Sequence, residues 1–357
     1  MKKLSVCMIV KNEEEVLKRA LDCAVRIADE IIITDTGSTD GTKEIAALYT
    51  DKVFDFEWTD DFSAARNFSF SAAEGEYLMW LDADDIILEE DILLINELKK
   101  ELNGDIGTVM MKYNTGSDEK GKPTFSYFRE RILKNCGAAV WNGVVHEAIS
   151  PFGQVIYRDA AITHSKLSRS DPSRNLRIYE RAEREGKAFS PRDMYYYARE
   201  LYYAARYDGA IRLFDDFLTQ RRGWVENNID ACRLLSYCYD LSGQHGKVLP
   251  ALFRSFEFDV PRAETACDIA KFFLDRNELK AAEYWYKTAL CCEKNPESGA
   301  FISEDCYGFI PYIQLCVCYS RLGNDEKAIY YNEKAGQLRP RSQAYIQNKK
   351  YFEEAKK

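Results

Sequence analysis

At 357 residues, 46% of them hydrophobic, the chain exceeds one ordinary domain and can build more than one packed core. Its formal charge of -9 and pI near 5.2 argue against nucleic acid or an anionic membrane surface as the main partner. No segment approaches the roughly 20 apolar residues of a spanning helix, and the opening MKKLSVCMIVKNEE places charge directly after a short apolar run, unlike a signal peptide, so a cytoplasmic location is expected.

Leu4 to Val10 reads as a short apolar strand, followed by Lys11-Asn12-Glu13-Glu14 and an amphipathic helix to about Ile27. Glu30 to Thr34 is a second strand, ending in the turn-forming run Asp35 to Thr42. Residues 76–85, Glu-Tyr-Leu-Met-Trp-Leu-Asp-Ala-Asp-Asp, form a buried strand that stops abruptly in carboxylates. Strand alternation points Asp82 and Asp84 the same way, with Ala83 opposite. An oxygen-only pair suits Mg²⁺ or Mn²⁺, although surplus aspartates also favour the start of the helix expected from Leu88 to Glu101; alone, the motif leaves both readings open. Alternating strands and helices imply a parallel, doubly wound α/β sheet, with ligands beyond the carboxyl ends of its strands. Asn12, Glu13, Asp35, Asp82 and Asp84 then share one rim.

Asp105 to Tyr113 and Thr124 to Leu133 read as a strand pair joined by a polar turn, and a further strand, Gln154 to Thr163, leads into His164. Between them stands Trp141-Asn142-Gly143-Val144-Val145-His146-Glu147, so two of the three histidines fall in one short stretch. Trp58, Trp80 and Trp141 are expected in the core. Residues 168–174, Ser-Arg-Ser-Asp-Pro-Ser-Arg, are polar punctuation, after which the pattern is helical to the end. The boundary is therefore drawn as 1–168 and 169–357. The spacing Tyr312, Leu315, Cys316, Tyr319, Gly323, Ala328, Ala335, Pro340 resembles the tetratricopeptide pattern of paired helices. Ala210, Val248 and Ala282 take the small-residue place of three looser repeats, and an insertion is expected from Glu293 to Ser303. Four repeats and a terminal helix from about Arg341 would form a right-handed, concave solenoid for an extended peptide or another subunit, the alternative being that the repeats only cap the catalytic sheet. The tyrosine clusters 195–197 and 202–203 fit helix packing better than a sugar platform. The cysteines lie mostly within apolar patterns and lack paired metal-ligand spacing, so buried thiols are expected rather than disulfides or zinc.

Four strings in this order, MIVKNEE, DTGSTDGT, DDFSAARN and YLMWLDADD, resemble the family 2 glycosyltransferases, which have the nucleotide-sugar-binding fold called GT-A. The resemblance covers roughly the first 165 residues. It implies a UDP-sugar donor whose uracil is read by Asp35 and whose nucleoside is lined by Val10, Asn12 and Glu13. It further implies that Asp82 and Asp84 meet the metal and ribose-phosphate, and that Arg66 of Ala-Arg-Asn lies near the donor phosphates. Arg131-Ile132-Leu133 stands where the family has Arg-x-Phe, and Trp141 to Glu147 is similar to its Trp-x-Gly-x-Val-His-Glu. His164 matches the first residue of His-x-Gly-Tyr, from which Ser165, Lys166 and Leu167 depart. The glycine turn lacks Gly-x-Gly-x-x-Gly spacing, which disfavours a nicotinamide cofactor.

The expected chemistry follows from those matches. Mn²⁺ or Mg²⁺ is assigned to Asp84, with His164 and also Asp82, and would neutralise the departing diphosphate. Glu147 is the expected base, His146 the alternative, and a third reading has both merely tying their loop to the sheet. Fusion to tetratricopeptide repeats resembles bacterial glycosyltransferases of peptide side chains, including S-glycosyltransferases of glycosylated bacteriocins. It implies inverting transfer to Ser, Thr or Cys of a polypeptide along the repeats, with cell-envelope glycan or lipid acceptors, or a catalytically inactive repeat scaffold, as alternatives.

Overall fold

The computed structural model describes residues 2–117, 123–165, 171, 173–294 and 302–355, and it divides into two compact units, Met1–Asp193 and Met194–Lys357.

The first unit is built on an eight-stranded sheet. Its strands are β1 (Leu4–Val10), β2 (Glu30–Asp35), β3 (Val53–Asp55), β4 (Tyr77–Leu81), β5 (Asp85–Ile86), β6 (Ile106–Ser117), β7 (Pro123–Lys134) and, after a separate two-stranded hairpin of β8 (Trp141–Asn142) and β9 (Ala148–Ile149), β10 (Gln154–His164), in the order β3-β2-β1-β4-β7-β6-β10-β5. The helices are α1 (Leu17–Ala24), α2 (Thr42–Ala47), α3 (Phe62–Ser71), α4 (Glu89–Glu101) and α5 (Arg174–Arg184).

Strands β3, β2, β1 and β4 pair in parallel, as the alternation of elements requires. Leu4, Val6, Met8 and Val10 of β1 pack into one core with Leu17 and Leu21 of α1 and Ile92, Ile95 and Leu98 of α4. Cys7 faces the other way, into a core with Phe70 of α3, Trp80 and Trp141. Both faces are thus covered, so this half is doubly wound and its strands are mostly apolar runs. The expectation of a wholly parallel sheet needs correction in the other half. There β7 runs antiparallel to both β4 and β6, because the β6–β7 hairpin returns without a crossover, and β5 runs antiparallel to β10. The sheet is mixed.

Residues 118–122 of the expected polar turn and the expected boundary between 168 and 169 lie outside the described residues, as do Lys166 and Leu167. The first compact unit continues through α5, which buries Leu176, Ile178 and Tyr179, bonds Tyr179 Oη to the Val145 carbonyl at 3.1 Å and pairs Arg181 with Asp60 at 2.5 Å.

The second unit is all helix. It comprises most of α6 (Pro191–Tyr203), then α7 (Tyr207–Gln220), α8 (Val225–Leu241), α9 (Val248–Arg254), α10 (Ala263–Asp275), α11 (Leu279–Cys291), α12 (Phe309–Arg321), α13 (Asp325–Leu338) and α14 (Gln343–Ala355). Ala210, Val248, Ala282 and Ala328 are buried at equivalent places near the start of α7, α9, α11 and α13. Each of those helices follows a left-handed residue, Ala205, Gly243, Asn277 or Gly323, that ends the helix before it. A small residue lets the two helices of a pair approach closely, which is what the tetratricopeptide spacing encodes. Gly336 shows the same device at the last contact, where a Cβ would run into the Tyr345 ring of α14. Most of the expected insertion between Glu293 and Ser303 falls outside the described residues. Seven of the eleven cysteines are buried. Among the described residues no helix is long and apolar enough to cross a membrane.

Candidate active site

The carboxyl ends of β1, β2 and β4 form one edge. Val10 and Asp35 are register partners there, and the Val10 carbonyl accepts the Thr36 amide at 2.9 Å. The two following loops are laced together. Asn12, in a left-handed conformation at φ 53°, donates its amide to Ser38 Oγ at 2.9 Å and accepts the Thr39 amide at 2.8 Å; the Glu13 amide donates to Thr42 Oγ1 at 2.7 Å. Gly37 makes the turn at φ 99°, where a side chain would be strained. Asp35 Oδ2 accepts the amides of Gly37 at 3.0 Å and Ser38 at 2.9 Å. Its Oδ1 is buried without a hydrogen-bond partner among the described residues. A buried carboxylate oxygen left unpaired is costly, so this atom is poised to accept a ligand N–H.

The acidic pole lies past β4. The chain turns after Asp82, whose carbonyl accepts the Asp85 amide at 3.1 Å, and Asp85 then begins β5 opposite His164. That turn breaks the strand alternation on which the pairing of Asp82 with Asp84 was expected. Asp84, Asp85 and His164 are brought together instead, each offering a ligand atom within 4.8 Å of the others. His164 Nδ1 is 3.4 Å from Asp84 Oδ1 and 3.6 Å from Asp85 Oδ1. Hydrogen bonds from its ring N–H to the Asp84 and Asp85 carboxylates push the His164 imidazole up to about 10. Burial, then the charges of Asp84, Asp40 and Asp82, push the Glu13 carboxyl up to about 6. Negative charge gathered in one corner drives the His164 shift and adds to the effect of burial on Glu13, and a divalent cation would relieve it. Asp84, Asp85 and His164 are thus placed so that they could hold a divalent cation.

Asp85 is spoken for on both oxygens. It is fully buried; Oδ1 accepts Tyr113 Oη at 2.9 Å, while Oδ2 accepts the Asp82 amide at 3.2 Å and lies 3.3 Å from Arg131 Nη1. Arg131, equally buried, stacks 3.5 Å from the Trp80 ring centroid and 4.4 Å from that of Tyr113, and donates to the Trp80 carbonyl at 3.1 Å. Burial, with Asp85 and Asp82 nearby, holds the Tyr113 phenol far above its ordinary range, so it remains an O–H. Sequence reasoning missed Asp85, Tyr113 and the role of Arg131. The signal for Asp85 was present as the last carboxylate of Asp-Ala-Asp-Asp; nothing in the sequence marks Tyr113.

Asp82 belongs to a second group. Arg66 of α3 donates from Nη2 to Asp82 Oδ1 and from Nε to Glu147 Oε1, both at 2.6 Å, with its guanidinium against the rings of both Trp80 (5.2 Å) and Trp141 (4.8 Å). Burial favours the neutral carboxyl of Asp82, but Arg66 and Arg131 outweigh it and hold the group below its ordinary range. The structure thus places Arg66, expected near donor phosphates, on two carboxylates. Glu147 is carried at the base of the β8–β9 hairpin, whose loop carbonyls from Gly143 to His146 are all taken. Gly143 O accepts Ser63 Oγ at 2.6 Å, Val144 O the Phe62 amide at 3.0 Å, Val145 O Tyr179 Oη at 3.1 Å and His146 O Arg192 Nε at 2.8 Å. Gly143 at φ 103° and His146 at φ 54° make the bends. His146 is thereby fixed through its backbone, and Glu147 through its side chain.

Residues 5–158 match the model of glycosyl transferase family 2. The amino-terminal unit is a family 2 glycosyltransferase domain. Among curated relatives, a TPR repeat-containing protein of Synechococcus elongatus is 44% identical over 90 residues, 25% of this chain and 22% of that protein. An uncharacterized glycosyltransferase of Rickettsia typhi is 32% identical over 114 residues, 32% of this chain and 35% of the other. The SPbeta prophage-derived glycosyltransferase SunS of Bacillus subtilis is 27% identical over 220 residues, 57% of this chain and 50% of SunS. The chain spans half or less of the length of these relatives. The family 2 domain is followed by a tetratricopeptide-type helical unit, and the chain joins the two.

Proposed function

We propose that the chain is an inverting, metal-dependent glycosyltransferase that moves a sugar from a UDP-sugar to a Ser, Thr or Cys side chain of a polypeptide, in the cytoplasm. The observation that carries this reading is the shared sheet edge, with the unpaired Asp35 Oδ1 after β2 and the Asp84–His164 group beyond β4. Asp35 Oδ1 would accept the ring N–H of uracil, while Val10, Asn12 and Glu13 line the nucleoside. Mn²⁺ or Mg²⁺ held by Asp84 and His164 would supply charge neutralisation for the diphosphate. Asp82 would orient Arg66 beneath the donor, and Arg66, bonded to Glu147 Oε1 at 2.6 Å, would keep that carboxylate pointed for taking the proton of the acceptor hydroxyl or thiol. His146 is less suited to that task, since its carbonyl bond to Arg192 and left-handed backbone serve the shape of the hairpin. The helical unit supports a polypeptide acceptor, because stacked helix pairs present extended surfaces that hold peptides.

The test is to incubate the protein with Mn²⁺, a panel of UDP-sugars and candidate peptides, following UDP release and peptide mass. Release of UDP with a sugar-sized mass gain on a peptide is expected. Sugar transferred only to glycan or lipid would overturn the acceptor class, and no UDP release with any donor or acceptor would reduce the chain to a scaffold.

A further inference from the structure

The cation site proposed above depends on how His164 is held, and the fold supplies a specific holder. We propose that Tyr113 is a positioning residue for His164: its hydroxyl donates to Asp85 and accepts from His164 Nδ1, leaving Nε2 as the nitrogen offered to a cation. This rests on the metal-dependent reading and assigns the chain's own residues within it.

The argument is one of donors and acceptors. Tyr113 Oη lies 2.9 Å from Asp85 Oδ1 and 3.1 Å from His164 Nδ1, and it has one proton to give. A carboxylate can only accept, and a hydrogen bond to it is charge-assisted, so the phenol proton goes to Asp85. The other side of Asp85 is occupied by the Asp82 amide and Arg131, so the carboxylate cannot turn away. Tyr113 can then only accept from the histidine, which places the imidazole proton on Nδ1. The lone pair of that tautomer is on Nε2, and the ring keeps 30% of its side-chain surface exposed, so it remains reachable. Arg131 lies 4.4 Å from the centroid of the Tyr113 ring and Tyr127 meets its edge at 5.7 Å, so ring position does not depend on the hydroxyl. Tyr113→Phe therefore removes the hydrogen bond while keeping the packing. Groups that orient a metal-binding histidine typically contribute about 10- to 100-fold to metal affinity.

The experiment titrates Mn²⁺ alone into wild type, Tyr113→Phe and Asp84→Asn, reading free Mn²⁺ by electron paramagnetic resonance, with thermal melting to confirm folding. We expect wild type to bind, Asp84→Asn to lose binding, and Tyr113→Phe to bind about 10- to 100-fold more weakly. A Tyr113→Phe affinity within twofold of wild type would overturn the inference while the metal-dependent reading stands. No Mn²⁺ binding by wild type would overturn both. A second readout covers a Tyr113→Phe variant that does not fold. Long-range ¹H–¹⁵N correlation of Zn²⁺-loaded wild type, with three histidines to assign, should show His164 protonated at Nδ1 and metal-bound at Nε2. Metal on Nδ1 would contradict the assignment.

Discussion

Removing the cation from the Arg66 group gives a perturbation whose size and pH dependence both follow from geometry. Arg66 serves two carboxylates at 2.6 Å each. Arg66→Met keeps an apolar chain against Trp80 and Trp141 but leaves Asp82 and Glu147 without their shared cation. Breaking a buried ion pair by deleting one partner costs about 3–5 kcal/mol. The two acids do not share that cost equally. The Glu147 side chain is 11% exposed and that of Asp82 33%, so water screens Asp82 and most of the loss falls on Glu147. Arg66→Lys should cost less, about 1.5–3 kcal/mol, because an ammonium keeps the charge but cannot fork to both oxygens. In wild type Asp82 is held below its ordinary range, so it stabilises the fold above that range and the contribution is lost as pH falls. In Arg66→Met the burial that favours a neutral Asp82 loses its main opponent, so the defect should be largest at pH 7 and shrink towards pH 5. Urea unfolding of both variants at the two pH values measures this. Equal stability of wild type and Arg66→Met at pH 7, or a loss that does not change with pH, would refute the reasoning.

Glu30 is pulled down to about 2: burial opposes this, but hydrogen bonds from Lys2, Lys52, Ser5 and the Glu74 amide prevail. Its stabilisation should be full above its ordinary value and vanish as pH falls towards 2, so Glu30→Gln should be destabilised at pH 7 yet match wild type near pH 2 in thermal melts. Tyr179→Phe removes the partner of the Val145 carbonyl, costing about 1 kcal/mol, and should lower kcat while Mn²⁺ affinity is unchanged; a parallel loss of Mn²⁺ binding would show that the hairpin and metal sites are not separate. Gly336→Ala meets the Tyr345 ring and should destabilise by about 1–3 kcal/mol, read as earlier proteolysis of α14 than in wild type.

Much of the first unit was legible because its signals are local. The apolar run Tyr77 to Leu81 and the alternation before it give β4 and the parallel half of the sheet, and the turn Asp35 to Thr42 gives the edge. The antiparallel half was less legible, since a hairpin's place in a sheet depends on which edge is open, not on its own residues. In the site, Asp35, Asp84 and His164 stand at strand ends that the sequence marks, whereas a single backbone turn before Asp85 carries Asp82 to Arg66, apart from the Asp84–Asp85–His164 group. Tyr113 and Arg131 carry no local mark; they matter only because β6 and β7 set them against Asp85 in space. The role of α5 was hidden for a similar reason, since Tyr179 looks like any helix-packing tyrosine until Val145 is beside it.

The account turns on a cation held beyond β4 that lets this edge take a nucleoside diphosphate. Calorimetric titration of UDP into wild type and Asp84→Ala, each with Mn²⁺ and with a chelator, tests that most directly. UDP should bind wild type only with Mn²⁺ present and should fail to bind Asp84→Ala under either condition. Equal UDP binding with and without Mn²⁺, or unchanged binding by Asp84→Ala, would contradict the account.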